Sequence, residues 1–149
     1  MEDKYTQACS AYLAEFVKTE MTAKGSYTGW YHYIDNPEFH TVGVVATAQM
    51  LILIKECALD VAFDCTPMLQ SLLDKQNSDG GWSYKSNIWD SATEPTALSI
   101  QALLLWNDLL NGTAVEAIQK GVSWLLTYKN ASCLWGPIKM REKNGFIYF

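Results

Sequence analysis

Positive charge is in short supply: eleven Lys and Arg stand against sixteen Asp and Glu, a formal charge of -5 over 149 residues. Such a balance repels a phosphate backbone unless a local basic patch overrides it, so nucleic acid is not expected as a partner. Long apolar runs are also missing. The longest, Val42 to Ile54, is interrupted by Gly43, Thr47 and Gln49. It falls short of the roughly 18 residues a membrane span requires and reads as a buried helix. No apolar stretch follows Met1-Glu2-Asp3-Lys4, so no secretory signal is read there. Cys9, Cys57, Cys65 and Cys133 form no C-x-x-C pair, which favours reduced packing thiols and a cytoplasmic location over a disulfide framework.

Apolar residues are plentiful, at 49% against 18% charged, the composition of one compact domain over 1–149. Rings are in excess: six Trp, eight Tyr and five Phe make up 13% of the chain. That excess points to a packing scheme or a binding cavity built on aromatics.

The chain also repeats. A shift of 52 residues places Ser26, Gly29, Trp30, Thr41, Gln49, Leu51 and Leu53 on Ser78, Gly81, Trp82, Thr93, Gln101, Leu103 and Leu105, and Trp135 follows Trp82 by 53. Three units result, near 5–57, 58–111 and 112–149, the last incomplete. Each begins with an amphipathic helix, predicted near Tyr5–Lys18, Pro67–Gln76 and Ala114–Lys129. In the first two a turn ending in Trp leads to a second helix, near Thr41–Cys57 and Ala92–Asp108, which is apolar almost all round and so belongs inside. Ser91-Ala92-Thr93-Glu94 fits a capping box, and Pro95 is tolerable in a first helical turn. In Gln76-Asn77-Ser78-Asp79-Gly80-Gly81-Trp82 the Asn and Asp can bond nearby backbone, and the glycines allow positive φ where the chain reverses. Gln76 is placed to bond backbone of the neighbouring hairpin, which would make the motif a staple between units.

These residues resemble the QW repeat of the terpenoid cyclase and protein prenyltransferase superfamily. Gln76, Asp79, Gly80, Gly81 and Trp82 match the Q-x-x-D-G-G-W core, and Lys120-Gly121-Val122-Ser123-Trp124-Leu125 matches the K-G-x-x-W-L head of the next repeat, which ends at Trp135-Gly136. The first unit departs, with about seven extra residues between its first helix and Gly29-Trp30. The third has Lys129 where Gln is expected. The resemblance implies an all-α fold, with tandem helical hairpins forming a partial α/α toroid. It does not imply the chemistry: the D-x-D-D acid motif of the cyclases is missing, and so is the Asp, Cys and His set that holds zinc in the prenyltransferases. No metal and no cofactor is expected. Cys57, Cys65, His32 and His40 have spacings that suit no familiar metal site.

In the superfamily the turns and inner helix starts line a central cavity. On this pattern Trp30, Tyr33, Tyr84 and Trp89, with His40, Asp90 and Glu94, are the candidate cavity residues, and an isoprenoid-like apolar molecule is the candidate ligand. A third unit without its second helix leaves apolar surface open, to which Phe146, Ile147, Tyr148 and Phe149 add. Self-association or a protein partner is expected at that end. The sequence thus reads as a non-catalytic repeat module for protein–protein assembly or apolar ligand binding. Its rival is a piece or subunit of an isoprenoid-processing enzyme completed by another chain or segment.

Overall fold

The computed structural model describes residues 4–32, 41–84, 90–129, 139–142 and 145–148. Helix α1 (Lys4–Phe16) is followed by strands β1 (Lys18–Thr22) and β2 (Gly25–Gly29), then by helices α2 (Val44–Glu56), α3 (Thr66–Asp74), α4 (Thr93–Leu105) and α5 (Val115–Tyr128). Strands β3 (Lys139–Glu142) and β4 (Gly145–Tyr148) come last. All five expected helices are present, with ends displaced by a few residues. The fold class is not all-α: two antiparallel two-stranded sheets, β1–β2 and β3–β4, make the fold mixed and overturn the purely helical partial toroid. Phe146, Ile147 and Tyr148, expected as an open apolar tail, belong to β4, and Phe149 lies outside the described residues.

The first sheet arises from the length difference between the units. Trp82 Nε1 donates to the carbonyl of Leu72, ten residues back, whereas Trp30 Nε1 donates to that of Leu13, seventeen back. The seven additional residues of the first unit are taken up in a hairpin with Lys18 opposite Gly29 and Thr22 opposite Gly25. Thr19 and Thr28 share a cross-strand hydrogen bond of 3.0 Å, a pairing that suits β-branched hydroxyl residues. The hairpin is seated on α3. Ser71 Oγ accepts the Thr28 N–H at 2.7 Å, and Lys75 Nζ lies 3.5 Å from Glu20 Oε1 and 4.2 Å from the centre of the Tyr27 ring.

Helices α2 and α4 are the enclosed pair. Both have 13 residues, and most of the core comes from them and α3, with Leu51, Leu69, Leu72, Leu103 and Trp82 fully buried. Their C-terminal ends meet: Gln101 Nε2 lies 3.4 Å from Glu56 Oε1, and Trp106 Nε1 donates to the Leu51 carbonyl at 2.9 Å. The carbonyl of Trp30 accepts the N–H of Gly43, and that of Trp82 accepts the N–H of Ala92. Gly43 and Ala92 are the two N-caps, 49 residues apart. In the helices, therefore, Thr47 corresponds to Thr96, Leu51 to Ile100 and Ile54 to Leu103. The 52-residue shift holds only at the turns. The three-residue discrepancy is close to one helical turn of 3.6 residues, so the apolar pattern matches almost as well in the wrong register.

Candidate functional site

The repeat-motif residues converge on α5. Gln76 Nε2 donates to the carbonyl of Gly80 in its own turn and to that of Ala117 in the first turn of α5, both at 2.8 Å. Asp79 receives three donors: the Gly81 N–H at 3.0 Å and the Ser91 hydroxyl at 2.7 Å on Oδ1, and the Trp124 indole N–H at 3.0 Å on Oδ2. Asn77 Nδ2 donates to Ser91 Oγ at 2.9 Å. Gly80 has φ +93, and a Cβ there would lie 2.9 Å from the Lys120 carbonyl oxygen. Gly81 has no positive φ, contrary to expectation; its small size is what matters, because a Cβ would lie 2.5 Å from that of Ser91. Gly121 in turn gives room to the Trp82 ring. The carboxylate and amides of this motif thus act as joints between units.

Trp30 and Trp82 do the same job one unit apart. Each donates its indole N–H to its unit's first helix, and each backbone N–H reaches a threonine of the second, Thr47 at 3.2 Å and Thr96 at 2.9 Å.

Of the expected cavity residues, Trp30, Tyr84, Asp90 and Glu94 are among the described residues. Trp30 borders a small apolar cavity of about 160 Å³ together with Tyr12, Phe16, Tyr31, Ala46, Met50 and the exposed Lys18. An apolar cavity of that size accommodates a ring about as large as benzene. Tyr84 and Glu94 meet at the start of α4, where the phenol donates to the carboxylate. Burial, the hydrogen bond and the Glu94 charge together push the Tyr84 phenol well above its ordinary range. Asp90 is exposed just before that helix. Asp79, Gly80 and Trp124 border a third, open groove of about 640 Å³ with Lys120 and Tyr128. Tyr33, His40, Trp89 and Trp135 lie outside the described residues. The capping box is also corrected: Ala92 is the N-cap without a side-chain bond, because Ser91 is engaged by Asp79 and Asn77 and Glu94 by Tyr84.

Sequence reasoning missed Tyr12, Phe16 and Met50 at the Trp30 cavity. The signal was the i, i+4 spacing of Tyr12 and Phe16, whose ring centres are 4.5 Å apart.

Comparison with protein-family models, curated proteins and solved structures yields no match.

Among the described residues no group of three or more His, Cys, Asp or Glu stands together as metal ligands, and no helix is long and apolar enough to cross a membrane. Of the described cysteines Cys9 and Cys57 are exposed and Cys65 is buried. Burial, with a smaller contribution from the Asp64 charge, pushes the Cys65 thiol up to about 11. The folded chain holds this proton more tightly than the unfolded one does. Its stabilising contribution is full below pH 9.0 and is lost as the pH climbs through about 11. At pH 8 an aromatic disulfide reagent is expected to modify Cys9 and Cys57 promptly and Cys65 only as the chain unfolds. Peptide mapping of the labelled protein reads this directly, and prompt labelling of Cys65 would contradict its placement.

Proposed function

We propose that the chain is a non-catalytic repeat module, related to the terpenoid cyclase and protein prenyltransferase superfamily, that acts in protein–protein assembly. The observation that carries this reading is a comparison of the three first helices. Leu13 and Leu72 receive equivalent indole bonds, which aligns Cys9, Tyr12 and Phe16 of α1 with Met68, Ser71 and Lys75 of α3. The α3 residues are 1%, 2% and 7% exposed, covered in part by the β1–β2 hairpin. Tyr12 is 47% exposed, and Cys9 is open as well. Helix α5 shows the converse. Gly121 and Trp124 are buried against the turn of the second unit, whereas Val122 and Leu126 on its other side are 41% and 55% exposed. Helices α1 and α5 therefore present apolar residues on faces of the kind buried between units inside the chain, and such faces favour association.

Leu126→Glu changes an exposed position and leaves the core intact. Sedimentation velocity over a concentration series should show the wild type associating and this variant shifted towards the monomer, with thermal stability within about 0.5 kcal/mol of wild type. A wild type that sediments as a monomer throughout would count against assembly through itself.

The Trp30 cavity favours a second reading, a subunit or piece of an isoprenoid-processing enzyme. On that reading dimethylallyl diphosphate, whose five-carbon chain is no larger than the cavity, raises the thermal midpoint of the wild type and leaves that of Met50→Lys unchanged; no shift in either would remove it.

A further inference from the structure

We infer that the partly open face of α1, where Cys9 and Tyr12 are exposed beside the half-buried Phe16, is a seat for the β3–β4 hairpin of a second copy of this chain. The inference rests on the assembly reading and names the surface and its occupant.

The precedent lies within the molecule. The equivalent face of α3 is covered by a two-stranded antiparallel hairpin, β1–β2, joined by two residues and with Gly25 opening its second strand. The chain contains one other described hairpin, β3–β4. It too is antiparallel and joined by two residues, with Gly145 opening its second strand opposite Glu142. One helix face of this kind is thus covered by a hairpin, its counterpart on α1 is open at Cys9 and Tyr12, and a second hairpin of the same build is present.

The two seats differ in chemistry. On α3 the hairpin is fixed by polar bonds to Ser71 and Lys75. On α1 these positions are Tyr12 and Phe16, whose rings pack together and border the small apolar cavity at Trp30. An occupant of the α1 seat is held by apolar contact rather than by an ion pair, and its binding should be insensitive to salt. Strand β4 supplies the sequence Gly145-Phe146-Ile147-Tyr148, rich in the residue types such a seat requires. Exchange of this kind between identical chains, each offering a seat and a hairpin, is a low-cost route to a dimer.

The test uses the 149-residue chain with Cys57 and Cys133 replaced by serine, mixed light and ¹⁵N-labelled copies, and a thiol-to-amine cross-linker anchored on Cys9. A cross-link from Cys9 of one copy to Lys139 of the other is expected. Tyr12→Asp, at an exposed site, and Ile147→Pro, which removes a ladder hydrogen bond opposite Met140, should each reduce that cross-link at least tenfold and shift the mass to the monomer. Far-UV circular dichroism confirms that each variant is folded, and unchanged association between 0.05 and 0.5 M salt, on the order of a threefold change in Debye length, is expected for the wild type. Association that survives Ile147→Pro overturns the hairpin as occupant while leaving the assembly reading in place. A wild type that is monomeric at every concentration overturns both.

Discussion

Replacing Trp82 by alanine is expected to destabilise the fold by about 4 kcal/mol, within the range for large-to-small changes at fully buried aromatic sites. For a domain of this length that lowers the thermal midpoint by about 10 °C. The ring has no exposed surface and touches Gly121 of α5, and its N–H donates to the Leu72 carbonyl at 2.7 Å. Its loss therefore empties the junction of the second unit's two helices with the helix that follows. Trp82→Phe retains much of the packing but not the N–H, and should cost about half as much. Thermal unfolding followed by circular dichroism checks both values. An alanine variant within about 1 kcal/mol of wild type would mean that Trp82 is not a staple between units.

An asymmetric result is expected at the Glu20–Lys75 pair. Both side chains are largely enclosed, at 16% and 7% exposure, and they tie β1 to the end of α3. Burial lowers the Lys75 pKa from its ordinary value, while the Glu20 charge and hydrogen bond act in the opposite direction. The folded state therefore holds the Lys75 proton less tightly than the unfolded chain. The associated penalty is present at neutral pH and relieved as the pH rises towards 10.5. Glu20→Ala removes the compensating carboxylate and the acceptor of the Val42 N–H, leaving an ammonium group enclosed beside Tyr27. A loss of about 3 kcal/mol is expected. Lys75→Met leaves the somewhat more exposed Glu20 carboxylate still bonded by the Val42 N–H, and should cost less, about 1–2 kcal/mol. Chemical denaturation of the two variants distinguishes these outcomes, and equal losses would contradict the enclosure of the pair.

The five helices were legible in the sequence because the apolar spacing that marks them is the same spacing that buries them. The Gln76–Trp82 staple was legible for a similar reason: two glycines between polar turn residues and a Trp leave few other roles. The β1–β2 hairpin was not. Its seven additional residues looked like an insertion, and its threonines and Tyr27 carry an alternating pattern over only five residues per strand. The helix register was misjudged because a three-residue slip nearly preserves helical phase. At Ser91 and Glu94 local pattern gave the wrong partners: a capping box is satisfied within four residues, but Asp79, Asn77 and Tyr84 reach both side chains from the preceding turn and compete successfully. Tyr12 and Phe16 were missed because candidates were chosen by proximity to turns in sequence, whereas these two rings reach the Trp30 cavity from the first helix.

Hydrogen–deuterium exchange of the 149-residue chain at low and high protein concentration is the most direct test of assembly through the uncovered helix faces. Added protection at high concentration is expected in α1 around Tyr12 and in α5 around Leu126, with α2 and α4 unchanged because they are already enclosed. Identical exchange of α1 and α5 at both concentrations would contradict the account.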